Sequence, residues 1–248
     1  MRWLFAHLRA TGKCDSAGKV YYLARMTSII FDLDGTLIDT APDLIATLNV
    51  ILTREGFAPV ALDEARNAIG AGAKPLLQRG LAKHGNAVPP ARLDALYNEY
   101  LDYYAAHIAD HSRPFPGLGA ALDMLEKDGF TFAVCTNKLE WLSVRLLDQL
   151  KLSQRFAAIC GQDTFKIAKP NPEVLLRTIE KAGGHASRAI MVGDSNTDIL
   201  TARAAGVPVI AVDFGYTETP VTELSPDVVI SSFDALPAAV KTLSRQWR

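Results

Sequence analysis

Six short apolar segments, at residues 28–31, 130–135, 157–160, 189–192, 207–212 and 227–230, recur along the chain with amphipathic stretches between them. Strands separated by intervals long enough for a helix do not form hairpins. They pair in parallel, and the helices cover both faces of the sheet. The expected architecture is therefore α/β, with a Rossmann-like, doubly wound parallel sheet at its core. Helices are expected at 118–127, 141–150, 172–182 and 197–205, with Gly129, Gly183-Gly184 and Gly206 punctuating their ends.

The interval between the first two strands is too long for one crossover. Apolar residues recur there at helical spacing over 42–54, 62–69, 75–84 and 90–109. Helices without a strand among them must bury their own apolar faces, so residues 41–113 are expected to form an inserted helical cap domain. The catalytic α/β core would then comprise 27–40 and 114–248, and the paired connections near Asp39 and at 113–117 permit a hinge. Tyr97, Tyr100, Tyr103 and Tyr104 lie at helical spacing without interleaved Lys or Arg, which favours packing within the cap over a platform for bases.

With 26 basic and 27 acidic side chains the 248-residue chain carries a formal charge of −1, so no overall positive field would gather nucleic acid. No apolar run approaches the roughly 20 residues that cross a bilayer. Cys14, Cys135 and Cys160 are too widely spaced for a C-x-x-C pair and odd in number, which fits a reducing, cytoplasmic setting. Cys135 lies inside an apolar run and is read as a packing residue, not a nucleophile. Residues 1–26 form a basic extension, with Arg2, Arg9, Lys13, Lys19 and Arg25 against Asp15 alone. They are read as a loose tail or as sequence ahead of a natural start at Met26, and no role is assigned to them.

The chemistry concentrates where strands end. Asp32-Leu33-Asp34-Gly35-Thr36-Leu37 follows the first strand directly. Residues i and i+2 of an extended segment face the same way, so Asp32 and Asp34 are expected to share the crevice at the strand's carboxyl end while Leu33 turns inward. Carboxylates so close repel, and a divalent cation resolves that. Asp194, at the end of the 189–192 strand, supplies a further acid. Oxygen donors from Asp32, Asp34 and Asp194 suit Mg2+ better than zinc. Asp194 and Ser195 could also serve as caps for the helix that follows.

Thr136 and Asn137 end another strand with a hydroxyl and an amide suited to phosphate oxygens, or to a simple turn. Lys169 precedes a helix that starts at proline, where an ammonium would neutralise both a carboxylate and a phosphoryl group unless it is an ordinary surface charge.

These four segments, in this order and at strand ends, resemble the haloacid dehalogenase superfamily of phosphotransferases over about residues 27–240. The resemblance implies that Asp32 is the nucleophile on phosphorus and Asp34 the acid/base. Thr136, Asn137 and Lys169 would hold the phosphoryl group, and Asp194 with the supporting acid Asp198 would complete a Mg2+ site. Asp39-Thr40-Ala41-Pro42-Asp43, Gly70-Ala71-Gly72-Ala73-Lys74, Phe214-Gly215-Tyr216 and Ser225-Pro226-Asp227 are similar to bacterial phosphoglycolate phosphatases with a helical cap.

The expected reaction is hydrolysis of a small phosphorylated metabolite, 2-phosphoglycolate, through an aspartyl-phosphate. A hexose-phosphate phosphomutase, a broader sugar-phosphate phosphatase and a phosphoaspartate receiver are the alternatives. Lys74 and Arg79 are candidates for reading a substrate carboxylate, or ordinary helix charges. His84 and His111 lack ligand spacing and are read as structural. Sequence leaves the oligomeric state, monomer or homodimer, open.

Overall fold

A computed structural model describes residues 26–65, 69, 70, 72–83, 88–217 and 219–247. The basic N-terminal segment with Cys14, and His84, lie outside the described residues. In chain order the elements are β1 (Met26–Phe31), β2 (Ile38–Asp39), α1 (Ala41–Arg54), α2 (Leu62–Ala65), α3 (Ala73–Ala82), α4 (Pro90–Ala106), β3 (Arg113–Pro114), α5 (Leu118–Lys127), β4 (Phe130–Cys135), α6 (Glu140–Gln149), β5 (Phe156–Cys160), α7 (Pro172–Lys181), β6 (Gly184–Gly193), α8 (Asn196–Ala204), β7 (Val209–Val212), β8 (Val228–Ile230) and α9 (Leu236–Ser244).

Six strands form one sheet in the order β5-β4-β1-β6-β7-β8, and every neighbouring pair is parallel. The chain builds outward from β1 through β4 to β5, then restarts on the other side of β1 at β6. The order therefore reverses between β1 and β6, and crevices at such points are where open α/β sheets bind ligands. Both faces are covered, so the strands read as unbroken apolar runs instead of alternating ones. Ile29, Phe31, Phe132, Val134, Ile190 and Val192 enter one buried cluster, and Ile30, Ala133, Cys135, Ala189 and Met191 enter the other. Phe31 meets Phe132 edge-on, with ring centroids 5.8 Å apart.

Two features extend beyond the sequence expectation. Strand β6 begins at Gly184, five residues early, because the polar stretch from His185 to Arg188 carries no apolar signal although Met26 pairs with Gly184. Helix α9, which no expectation covered, closes one face through Leu236, Ala239 and Val240.

Helices α1, α3 and α4 pack together through Leu44, Leu48, Leu76, Leu77, Leu96 and Tyr100, and these buried side chains run without a break into the cluster beneath the sheet. Tyr100 and Tyr104 are buried and stacked, and the Tyr100 hydroxyl donates to Leu44 O at 3.1 Å. Tyr100 thus serves packing, in keeping with the expectation for this helix. The two connections to this helical layer form an antiparallel pair, β2 with β3, matching Ile38 to Pro114 and Asp39 to Arg113. Buried Asp43 reinforces the junction by accepting from His111 N at 3.0 Å, Ser112 N at 2.7 Å and Ser112 Oγ at 2.7 Å. His111 also turns its Nδ1 to Asp43 Oδ1 at 2.9 Å, a structural contact.

Candidate active site

Strands β1 and β6 end side by side, with Asp32 N donating to Val192 O at 2.9 Å. That pairing brings together acids 162 positions apart in sequence. Asp32, Asp194 and Asp198 are all buried, and each offers a carboxylate oxygen within 4.8 Å of the others. Lys169, 5% exposed, sits among them with Nζ 2.9 Å from Asp32 Oδ1 and 2.6 Å from Asp198 Oδ1.

One ammonium does not balance three buried carboxylates. Burial, only partly offset by Lys169, pushes the Asp32 carboxyl up to about 6, and burial with the Asp198 and Asp32 charges pushes Asp194 well above the carboxylate range. Burial also works against the Lys169 charge, but Asp198 and Asp32 outweigh it and hold the ammonium above the ordinary lysine range. The cluster needs either bound protons or a further cation.

The hydrogen bonds show which acids have lone pairs left for one. Asp198 is committed: Oδ1 accepts from Lys169, and Oδ2 accepts from Ser195 Oγ at 2.7 Å and Ser195 N at 3.1 Å, forming a capping box at the start of α8. Asp194 is oriented from two sides, by Thr36 Oγ1 at 2.9 Å and Tyr216 N at 2.7 Å. Asp32 Oδ1 is buried, and despite its approach to Lys169 it has no aligned hydrogen bond among the described residues. An oxygen-only cluster in which Asp32 and Asp194 keep lone pairs free fits a hard divalent cation held by those two acids. No histidine or cysteine belongs to the group, so it lacks zinc's preferred donors.

Gly35 allows this geometry. Its φ of +83° is left-handed, and a Cβ there would lie 2.4 Å from Asp194 Oδ2.

The carboxylate of Asp34 stands outside the cluster. It accepts from Lys138 Nζ at 3.0 and 3.2 Å, and the same ammonium donates to the Tyr104 hydroxyl of α4 at 2.8 Å. Asp34, Tyr104 and Lys138 line a small cavity, partly open to solvent, whose walls include Leu44, Leu76 and Leu101. The nucleophile candidate thus lies in the acid cluster, and the acid/base candidate faces the space beneath the helices.

Thr136 is buried at the end of β4. Its Oγ1 accepts from Lys138 N at 3.2 Å, which leaves its own proton to donate. Asn137 spends its amide on backbone: Oδ1 accepts from Lys169 N at 2.8 Å and Nδ2 donates to Lys169 O at 3.2 Å, so it places the lysine. Lys74 pairs with Asp94 at 2.5 Å on the exposed side of the helices. Arg79 borders a different cavity, with Val60 and Lys83. Neither lines the space next to Asp34. Cys135 is buried and its thiol is pushed up to about 12 by burial, in keeping with packing.

Sequence reasoning passed over Lys138, and it took in Tyr216 only as part of the family-like Phe214-Gly215-Tyr216 segment, with no role at the site. Lys138 had a usable signal, a lysine immediately after the strand-end Thr136-Asn137. Tyr216 had little, because what matters is its backbone N–H on Asp194 and a hydroxyl that accepts from Ala41 N at 2.9 Å and donates to Asp39.

Comparison with known proteins agrees with this geometry. The sequence profile of the haloacid dehalogenase-like hydrolases matches residues 29–212. The chain is 50% identical over 211 residues to the phosphoglycolate phosphatase of Agrobacterium fabrum, covering 85% of this chain and 91% of that one. It is 47% identical over 216 residues to the phosphoglycolate phosphatase of Caulobacter vibrioides, covering 87% and 91%. The crystal structure of a predicted phosphoglycolate phosphatase from Haemophilus somnus superposes with a TM-score of 0.81 at 26% identity, covering 88% of this chain and 99% of that one. Sheet order, strand-end acids and relatives agree: the chain belongs to the haloacid dehalogenase-like hydrolase family.

Proposed function

We propose that this protein is a Mg2+-dependent phosphomonoesterase whose substrate is 2-phosphoglycolate. The observation that carries the reading is the division of labour at the mouth of β1, with Asp32 beside Lys169 in the buried acid cluster and Asp34 on the cavity. In the first step an Asp32 carboxylate oxygen bonds to phosphorus as the P–O ester bond breaks, and protonated Asp34 gives its proton to the departing alkoxide. In the second, Asp34 takes a proton from water, the water oxygen bonds to phosphorus, and the Asp32–phosphate bond breaks. Lys169 and the Thr136 hydroxyl hold the phosphoryl oxygens, and Asn137 keeps Lys169 in place. Asp32 and Asp194 would hold Mg2+, which would supply charge neutralisation for the phosphoryl group.

The relatives, named phosphoglycolate phosphatases, support phosphoglycolate in particular. Purified protein with Mg2+ and a panel of phosphate esters tests this through release of inorganic phosphate. A kcat/KM for phosphoglycolate at least about tenfold above the other esters is expected, on the order of 1.4 kcal/mol in transition-state binding. Isomerised sugar phosphate without phosphate release would identify a mutase, and phosphorylated Asp32 that persists for hours would identify a receiver.

A further inference from the structure

We infer that Lys138 reads the carboxylate of the leaving group. The inference rests on the phosphoester-hydrolase reading above and adds a residue for specificity. Among the described residues lining the cavity next to Asp34, Lys138 is the one cation. Its side chain is only 5% exposed and is paired with the Asp34 carboxylate, so it is open to attract a substrate anion when Asp34 carries the proton it gives to the leaving group. An ammonium has three protons, and here Asp34 Oδ1, Asp34 Oδ2 and the Tyr104 hydroxyl accept from it. A substrate carboxylate can take over the donors that Asp34 gives up when it carries the proton for the leaving group.

The chemistry of the ester sets the distance. In a 2-phospho-carboxylate, one methylene or methine carbon separates the bridging oxygen from the carboxylate carbon. If Asp34 protonates that bridging oxygen, the carboxylate lies next to whatever stands beside Asp34, and Lys138 Nζ is 3.0 Å from Asp34 Oδ1. The cations expected from sequence for this task are placed elsewhere, Lys74 on Asp94 and Arg79 at another cavity. Lys138 also spans two layers, since it belongs to the loop after β4 while Tyr104 belongs to α4. A carboxylate on this ammonium is therefore read at the point where the helices meet the sheet.

The test uses the full chain with Mg2+ and follows phosphate release from 2-phosphoglycolate, 2-phospholactate and 2-hydroxyethyl phosphate, whose neutral CH2OH takes the place of the carboxylate. The readout is the ratio of kcat/KM for a carboxylate ester to that for the neutral ester, which cancels any general damage to Asp34. Lys138→Met should lower the ratio at least about tenfold, mostly through KM, and Lys138→Arg should recover part of it. If Lys138→Met does not fold by circular dichroism, Lys138→Gln removes the charge and carries the same comparison. A wild-type preference for carboxylate esters that survives both neutral variants overturns the role of Lys138 and leaves the substrate reading intact. A preference for 2-phospholactate that collapses in the variants upholds Lys138 and overturns phosphoglycolate. No wild-type preference for the carboxylate overturns both.

Discussion

Thr36 and Asp194, 158 positions apart in sequence, are joined by a buried hydrogen bond of 2.9 Å in which the hydroxyl donates to Oδ1. The bond fixes a carboxylate from the end of β6 against the loop that leaves β1. Because Tyr216 N holds the other oxygen, Asp194 cannot rotate away from Asp32 without breaking one of them.

Thr36→Val keeps the shape and removes the donor. Groups that orient a metal ligand typically contribute about 10–100-fold to metal affinity or activity. The Mg2+ concentration for half-maximal phosphatase activity should therefore rise at least about tenfold, and the increase in melting temperature produced by Mg2+ should shrink in parallel. An unchanged Mg2+ titration would show that Tyr216 N alone suffices to orient Asp194.

Asp32→Asn tests the covalent route. The amide matches the carboxylate in size but is a far poorer nucleophile, so phosphate release should fall by about a thousandfold or more. Stability should hold or rise, because burial already pushes the Asp32 carboxyl up to about 6 and a neutral group is cheaper to bury. Near-normal turnover by this variant, free of contaminating phosphatase, would exclude Asp32 as nucleophile.

What was legible in the sequence was local. The extents of β4 and α5 follow from runs of apolar residues with their own stop signals, and Asp32, Asp34 and Asp194 are visible because strand-end acids are rare and costly without a purpose. Relationships that depend on docking one layer against another were not legible. Lys138 meets Tyr104 across 34 positions because α4 lies over the loop after β4. Helical spacing over 75–84 took in Arg79 and left Lys74 just ahead of the helix; both lie on α3, and which face of α3 turns toward Asp34 is decided by packing against α1 and α4. There Leu76 takes the wall and the two cations point elsewhere. Asn137 shows the same limit: its amide could serve phosphate or backbone, and the loop carrying Lys169 decided for backbone.

Gly35→Ala should be among the most damaging substitutions of a small residue. The φ of +83° costs a β-carbon roughly 1 kcal/mol or more, and the new carbon would also fall 2.4 Å from Asp194 Oδ2. Either Asp194 moves or the loop does. Loss of most phosphatase activity is expected with a stability decrease of about 2–4 kcal/mol in denaturant titrations. Wild-type activity would mean that the loop relaxes without displacing the acid.

Asp43 gives the junction between sheet and helices a defined acid sensitivity. Burial opposes its charge, but hydrogen bonds from Ser112 and His111 outweigh that and hold its carboxyl below the ordinary value of 3.8. A carboxyl lowered by folding contributes stability that is fully present above the unfolded value and is lost as pH falls through the folded one. Asp43→Asn keeps the size but loses the charge that the N–H donors of His111 and Ser112 converge on, a loss of about 1.5–3 kcal/mol for hydrogen bonds to a charged group. The stability gap between wild type and Asp43→Asn, measured by urea unfolding, should therefore stay constant from pH 7 to about pH 5. Below about pH 4 it should narrow as the wild-type carboxylate takes up its proton. A gap independent of pH down to acid unfolding would mean that hydrogen bonding at this junction does not depend on the charge of Asp43.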